Sequence, residues 1–170
     1  MKKLVIVTHP NIETSVVNKK WINELNKTPE TYTVHSIYEN YPSLNFNINE
    51  EQALIEKYDE IIFQFPLHWF STPYALKKYI DEVFTYGWAF GEGGDKIKGK
   101  KIGLAVSTGG GEENYKSPKG IPLEELLNDV ILTFRFCGAE FTGLHRLYGA
   151  MFNPAESILE ENTKAYLATF

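Results

Sequence analysis

Short apolar runs alternate along this chain with longer stretches of helical periodicity. Runs rich in β-branched and aromatic residues predict five strands, at residues 4–8, 32–38, 61–65, 101–107 and 141–147. In the stretches between them apolar residues recur three and four positions apart, which predicts amphipathic helices. The clearest is residues 75–84, where Lys77, Lys78, Asp81 and Glu82 lie largely opposite the apolar face.

Strand and helix alternate throughout, which predicts an α/β fold. Right-handed crossovers leave few topologies, and a doubly wound five-stranded parallel sheet of order 2-1-3-4-5, with helices on both faces, is the common solution at this length. We expect residues 1–170 to form one such flavodoxin-like domain.

Capping residues predict where several helices begin. Ser15 precedes the first helix, Asn49 with Gln52 resembles a capping box, and Thr72 is a good N-cap before Pro73. We expect one helix from about residue 122 to 137, and a last helix capped by residues 153–156.

Charge and cysteine usage exclude several classes. The net charge is −5 with scattered Lys and Arg, which argues against nucleic acid as a partner. One cysteine, Cys137, excludes an intrachain disulfide framework and a multi-cysteine metal site, and we expect no metal. The first apolar run spans only four residues, too short for a signal peptide, so a cytoplasmic protein is expected.

Ligands of an open parallel sheet bind outside the carboxyl ends of its strands, where three loops should meet. Residues 8–15 lead into a helix N-terminus, which favours an anion, and Thr14, Ser15 and Asn18 add side-chain donors. The loop lacks the glycines of a nucleotide fingerprint. Helix capping alone would also explain Ser15, so phosphate binding and capping both stay open.

The second loop places Trp69 and Phe70 between Pro66 and Pro73. Two aromatic rings at this edge could form a flat apolar wall for a planar ligand, while packing of Trp69 against a neighbouring subunit is the alternative. We expect His68 to be a hydrogen-bonded loop residue rather than a catalytic one. The third loop, Ser107-Thr108-Gly109-Gly110-Gly111, could bring backbone N–H groups close to a ligand or act as a hinge.

Together the three loops resemble those of flavodoxin-like NAD(P)H:quinone oxidoreductases. The resemblance is to the small bacterial branch, which includes the regulatory flavoprotein of the glutathione-gated potassium efflux system and the general stress oxidoreductases. The residues that carry it are His9-Pro10, Ser15, Asn18, the segment from Phe65 to Pro73, Leu76-Lys77, Ile80-Asp81, the segment from Val83 to Gly91, and Thr108 to Gly111.

The resemblance implies a bound flavin, with FMN favoured over FAD because the C-terminal part is shorter than in the animal enzymes. It implies that the following residues bind the cofactor: His9, Ser15, Val16, Val17, Asn18, Pro66, Leu67, His68, Trp69, Phe70, Ser107, Thr108, Gly109, Gly110 and Tyr115. The implied reaction is ping-pong: NAD(P)H reduces the flavin and leaves, and a quinone takes its place for a two-electron reduction.

In that family the sites form across a homodimer, so Trp88, Phe90 and the following glycine-rich loop are expected to face the partner's flavin. In the animal enzymes a Tyr and a His six positions later stabilise the reduced flavin. Tyr115 matches the Tyr and is the predicted catalytic residue, but position 121 is Ile. Backbone donors of the third loop would then have to suffice.

Two other functions stay open. A regulatory flavoprotein subunit would have a membrane potassium-efflux transporter as its partner and would lie at the inner face of the membrane through it. A flavodoxin-type electron carrier is disfavoured, because the chain is only mildly acidic and its first loop has no glycine.

Overall fold

The five predicted strands form one parallel sheet in the computed structural model, which describes residues 2–116, 118 and 120–170. Their spatial order is β2-β1-β3-β4-β5, and every pair is parallel. The strands are β1 Lys3–Val7, β2 Tyr32–Ser36, β3 Glu60–Pro66, β4 Lys101–Ser107 and β5 Glu140–Leu147. The predicted fold class and strand order are confirmed.

Helices cover both faces of the sheet. Within the described residues the α-helices are α1 Val16–Leu25, α2 Ile37–Asn40, α3 Ile48–Glu56, α4 Tyr74–Val83, α5 Leu123–Leu126, α6 Asn128–Phe136 and α7 Glu156–Thr169. Short 3₁₀ turns lie at Ile12–Thr14, Glu112–Tyr115 and Ala150–Phe152.

Alternation along β1 separates two hydrophobic cores, because successive side chains of a strand point to opposite faces. Leu4 and Ile6 belong to the core under α3, α4 and α6. Val5 and Val7 belong to the core under α1 and α7. All four side chains are fully buried, which explains why this strand reads as an unbroken apolar run.

Ser15 caps α1 as predicted, since its hydroxyl oxygen accepts from the backbone N–H of Asn18 at 3.0 Å. Two other predicted caps are wrong. Asn47, not Asn49, caps α3 by accepting from the N–H of Glu50. Pro73 itself occupies the N-cap position of α4, so Thr72 lies outside that helix.

Three predicted boundaries also differ. β2 ends at Ser36 rather than at residue 38, because the chain turns into α2. The helix expected over residues 122–137 is broken at Leu127, whose φ of −102° and ψ of 11° separate α5 from α6. Asn153 does not cap α7: its φ of 48° places it in a left-handed turn before the helix.

Trp88 was expected to face a partner subunit, and the structure contradicts this. Its indole is buried in the core of its own chain, and Nε1 donates to Glu56 Oε1 at 2.7 Å. Ile97, later in the same loop, is also fully buried. The loop over residues 85–99 is therefore folded back onto its own sheet and α3.

A buried carboxylate ties α3 to α4 and β2. Glu51 is 2% exposed, accepts from the Tyr79 hydroxyl at 2.7 Å, and lies 3.0 Å from His35 Nε2. Burial alone would raise the pKa of Glu51, but hydrogen bonds from His35, Tyr79 and Tyr41 outweigh it, so the net pKa is lowered. Burial, followed by the hydrogen bond to Glu51, raises the pKa of Tyr41 to about 12.

Glu51→Gln should destabilise the protein near neutral pH by about 1–3 kcal/mol, because the charged acceptor is lost from a buried cluster. Because the pKa of Glu51 is lower in the folded protein than in the unfolded chain, its ionised form stabilises the fold at pH values above the ordinary Glu pKa of about 4.3. This stabilisation is lost as the pH falls through the pKa of Glu51 in the folded protein. Urea unfolding should therefore show the difference shrinking toward about pH 3. Glu50→Gln, at an exposed neighbouring position, is the matched control.

Candidate active site

The loops after β1, β3 and β4 meet at the carboxyl edge of the sheet, and a cavity of about 830 Å³ lies there. The second and third loops supply most of its walls. It is lined by Leu67, Trp69, Phe70, Gly109, Gly110, Asn114, Tyr115, Gly120, Ile121, Leu126 and Met151. None of these described lining residues is charged, so the cavity is suited to an uncharged, largely apolar ligand surface.

The first loop lies beside this cavity rather than in its wall. Ser15 and Val16 border a separate, shallow depression of about 300 Å³ at the N-terminus of α1. Val17 is buried in the core under α1, so only its backbone can face a ligand. His9 is half-buried and accepts from the N–H of Asn11 at 3.2 Å. Burial and then the nearby His68 lower the pKa of His9, which favours its neutral form.

A buried hydroxyl at the end of β1 has no partner within the described part of the chain. Thr8 is fully buried, and its Oγ1 makes no hydrogen bond there. Its backbone N–H donates to the carbonyl of Gln64 at 2.9 Å. An unsatisfied buried hydroxyl costs free energy unless a ligand satisfies it. Together with the free N–H groups at the start of α1, it favours an anion at this point.

The second loop is a tight two-residue turn. Leu67 extends the sheet by donating its N–H to the carbonyl of Ser107 at 2.8 Å. His68 and Ser71 then exchange two backbone hydrogen bonds, at 2.9 and 3.0 Å, with Trp69 and Phe70 at the tip. Both tip residues have positive φ, 45° and 63°, as a primed hairpin turn requires.

Trp69 and Phe70 are poor choices for such a turn on local grounds. Left-handed backbone costs a residue other than Gly or Asn about 1–2 kcal/mol. Little packing offsets this, because Trp69 is 93% exposed and Phe70 55% exposed. Two strained, exposed aromatic rings at a cavity wall make this turn a candidate functional element.

The third loop is held by the segment that follows β5. Gly149 and Ala150 donate backbone hydrogen bonds to the carbonyls of Gly110 and Thr108, both at 2.8 Å. Thr108 is fully buried, and its hydroxyl donates to the carbonyl of Gly110 at 2.8 Å. These bonds argue against the hinge alternative. The N–H groups of Gly109 and Gly110 are not used in this clamp.

The glycines of this loop fit close neighbours within the chain. A Cβ on Gly109 would lie 2.7 Å from the Met151 sulfur, and one on Gly110 would lie 2.7 Å from Asn114 Nδ2. Small residues are therefore required here before any ligand is considered. A larger side chain would disturb Asn114 or Met151, two residues that line the cavity.

Tyr115 is buried, lines the cavity and stacks on Tyr148, with ring centroids 5.4 Å apart. Behind Tyr148 lies Arg146, whose guanidinium pairs with Glu124 at 2.7 Å. Burial would lower the pKa of Arg146, but hydrogen bonding to Tyr148 and the charge of Glu124 raise it overall. The predicted catalytic tyrosine thus packs against Tyr148, which is hydrogen-bonded to Arg146, and not against a histidine.

The structure brings together six of the predicted site residues in one cavity, namely Leu67, Trp69, Phe70, Gly109, Gly110 and Tyr115. Pro66 ends β3 beneath it, and His68 points to solvent from the turn. Sequence reasoning missed five lining residues, Asn114, Gly120, Ile121, Leu126 and Met151. No sequence pattern marks Met151 as a cavity residue. It reaches the cavity, 80% exposed, because the segment after β5 is hydrogen-bonded to the third loop.

A family model described as the flavodoxin-like fold matches residues 1–170. The uncharacterized NAD(P)H oxidoreductase YrkL of Bacillus subtilis (strain 168) is 41% identical over 160 residues, covering 93% of this chain and 91% of the relative. The chain belongs to this family of NAD(P)H oxidoreductases. The family predicted from the three loops is confirmed.

Two further similarities bear on function. The glutathione-regulated potassium-efflux system ancillary protein KefF of Enterobacter sp. (strain 638) is 38% identical over 138 residues, covering 81% of this chain and 78% of that protein. General stress protein 14 of Treponema denticola, solved in complex with FMN, superposes with a TM-score of 0.93 at 36% identity. That match covers 99% of this chain and 97% of the solved one.

Two features are absent from the part of the chain that the structure describes. Among residues 2–116, 118 and 120–170, no helix is long and apolar enough to cross a membrane. No group of three or more His, Cys, Asp or Glu side chains in the same part of the chain could hold a metal ion.

Trp69→Asn should stabilise the protein by about 1 kcal/mol, because Asn adopts left-handed backbone more readily and the lost ring is almost fully exposed. Chemical denaturation would measure the change. Phe152→Asn is the control: it removes another aromatic ring, 74% exposed, from a residue whose φ is not positive. This variant should not increase the free energy of unfolding. Equal stability of Trp69→Asn and the parent would show that the turn holds no strain.

Proposed function

We propose that the chain binds FMN and acts as an NAD(P)H:quinone oxidoreductase with a ping-pong order of substrates. The observation that carries the proposal is the cavity itself. The strained aromatic turn at Trp69 and Phe70 and the glycine backbone at Gly109 and Gly110 both line an uncharged slot. The anion-favouring N-terminus of α1 lies beside it.

The residues present fit an FMN molecule at its two chemically different ends. At the phosphate end, the buried Thr8 hydroxyl lacks a partner within the described chain, and the first turn of α1 offers N–H groups. At the ring end, Trp69 and Phe70 supply flat apolar surface, and the N–H groups of Gly109 and Gly110 are proposed to stabilise negative charge on the ring. The FMN complex of the Treponema denticola relative supports the same cofactor over FAD.

A bound flavin supplies hydride transfer between a nicotinamide and a second substrate. The protein positions the reactants: the turn at Trp69 and Phe70 forms one wall, and Met151 and Leu126 form part of the apolar lining. The Tyr115 hydroxyl is the proposed proton-holding group, oriented by stacking on Tyr148. NAD(P)H and the quinone are proposed to occupy this cavity in turn, since both present a flat ring.

Purified protein should be yellow and should oxidise NAD(P)H faster when a quinone is added, with parallel lines in double-reciprocal plots. Tyr115→Phe should lower kcat by about tenfold, because one hydrogen-bonding group is removed from the cavity. Tyr58→Phe removes a partly buried tyrosine hydroxyl that donates to Thr33 Oγ1 at 2.9 Å and does not line the cavity, so it serves as the control. Colourless protein that takes up neither FMN nor FAD would overturn the proposal, and the mass of any released cofactor identifies it.

We further propose that the chain forms a homodimer. Exposed aromatic and aliphatic side chains cluster where α6 meets the loop after α4: Phe136 is 72% exposed, Tyr86 67% and Leu132 59%. Phe90 links them, with its ring centroid 5.7 Å from that of Phe136. Exposed apolar patches of this kind mark association surfaces. Analytical ultracentrifugation should give a dimer at micromolar concentration, and a monomer would contradict this part of the proposal.

A regulatory role is the second candidate, favoured by the 38% identity to the potassium-efflux ancillary protein of Enterobacter. In that role the same fold would act on a membrane transporter, with oxidoreductase activity retained. Co-purification with a potassium transporter and a change in potassium efflux when this gene is deleted would favour it. Neither result would alter the assignment of the cofactor site.

A further inference from the structure

Two sulfur-containing side chains lie in the part of the chain that the structure describes, and their surroundings differ sharply. Cys137 is buried, 6% exposed, and this burial raises the pKa of its thiol. Its reactive thiolate form is therefore disfavoured as well as shielded from solvent. Met151 is 80% exposed and lines the cavity. An oxidant that reaches the cavity therefore meets the thioether of Met151 and not the thiol.

Met151 lies on a turn whose backbone is fixed. The turn Ala150–Phe152 is flanked by Gly149 and Asn153, both in the left-handed region with φ of 76° and 48°. The backbone N–H of Met151 donates to the carbonyl of Gly109 at 3.4 Å, beside the two shorter bonds of the clamp. The exposure of the thioether is thus a property of an ordered turn and not of a loose segment.

The sulfur of Met151 rests directly on the glycine loop. A Cβ on Gly109 would lie 2.7 Å from Met151 Sδ and 3.0 Å from its Cγ. Only glycine therefore leaves room for the thioether at this place. An oxygen atom added to the sulfur would lie at the margin of the same loop, within the cavity lining.

Hydrogen peroxide oxidises a thioether in one step that needs no further reactant. A sulfur lone pair attacks one peroxide oxygen and forms the S–O bond while the O–O bond breaks. The departing hydroxide takes the proton from the transferred oxygen and leaves as water. The sulfur loses two electrons and the peroxide gains them. An apolar, flexible side chain becomes a polar sulfoxide.

The sulfoxide changes what the cavity can bind. A flat ring that fills the cavity covers part of its lining and removes it from water. Covering a thioether is favourable, because apolar surface is buried. Covering a sulfoxide oxygen strips its hydration, and the face of an aromatic ring offers no hydrogen-bond donor in return. Oxidation of Met151 should therefore weaken the binding of a flat ring.

We propose that Met151 is a site of reversible oxidation to methionine sulfoxide by hydrogen peroxide, and that this oxidation weakens FMN binding. The effect on FMN rests on the proposed function, whereas the oxidation site does not. Methionine sulfoxide is reduced by dedicated reductases. The exposure that admits the oxidant also leaves the side chain open to such an enzyme.

The rate of oxidation tests the site without any cofactor. Ile158→Met places a reference methionine on α7 at a position that is 53% exposed and outside the cavity lining. Glu156 lies between the two methionines, so cleavage at glutamate separates them for mass spectrometry. In dilute peroxide Met151 should gain one oxygen at a rate within about twofold of the reference, as expected of an exposed thioether. Oxidation of the reference while Met151 stays unmodified would overturn the proposal.

FMN titration, followed by quenching of flavin fluorescence, tests the consequence. Peroxide treatment of the parent protein should weaken FMN binding about tenfold, and a methionine sulfoxide reductase with a thiol reductant should restore it. The control is the double variant Met151→Leu, Ile158→Met, which keeps an exposed methionine outside the cavity. Whatever the FMN affinity of this variant, peroxide should not change it. An equal loss in the control, no loss in the parent, or a loss that the reductase does not reverse would contradict the proposal.

A spectroscopic readout separates this proposal from the proposed function. In ¹H–¹⁵N NMR spectra of ligand-free protein, peroxide should shift the backbone amide signal of Gly109, on which the sulfur rests. The same signal should not respond in the Met151→Leu variant. If the parent protein fails to bind FMN while Met151 is oxidised and this signal shifts, the proposed function fails and the oxidation site stands. An unshifted signal after complete oxidation would overturn the placement of the sulfoxide at the loop.

Discussion

Because β3 pairs in parallel with β1 on one side and β4 on the other, the loops after all three strands are held at one edge of the sheet. This pairing is the constraint on which the site depends. It brings the start of α1, the aromatic turn and the glycine loop together, although these begin at Val16, Trp69 and Gly109 in the chain. Two apolar cores flank the sheet that carries this edge.

Around that edge the protein departs from what is locally favourable in several places. Trp69 and Phe70 occupy left-handed backbone, Thr8 buries an unsatisfied hydroxyl, and Gln64 places an amide in a fully buried strand. Each is destabilising or neutral for the fold alone. All three lie at or near the edge of the sheet that borders the cavity, which is where the function is proposed.

The buried amides also link the C-terminal helix to that site. Only two side chains, those of Gln64 and Asn18, separate Tyr166 on α7 from Ser15 and Ser107. Amide groups have distinct donor and acceptor ends, so a chain of them carries orientation as well as stability. The hydrogen-bonded network therefore extends from the C-terminal helix to the end of β4 and the start of α1.

The sequence by itself determined the strands, the cap at Ser15 and the aromatic turn segment, because periodicity, capping chemistry and turn-flanking prolines are local properties. The strand order followed from the general rules for crossovers in parallel sheets. Only the tertiary structure decided the rest. It turned Trp88 inward, placed Met151 at the cavity, and joined Tyr166 to Asn18 through Gln64. Such contacts join residues far apart in the chain, and whether a ring or an amide finds its partner depends on the packing of whole elements rather than on neighbouring residues.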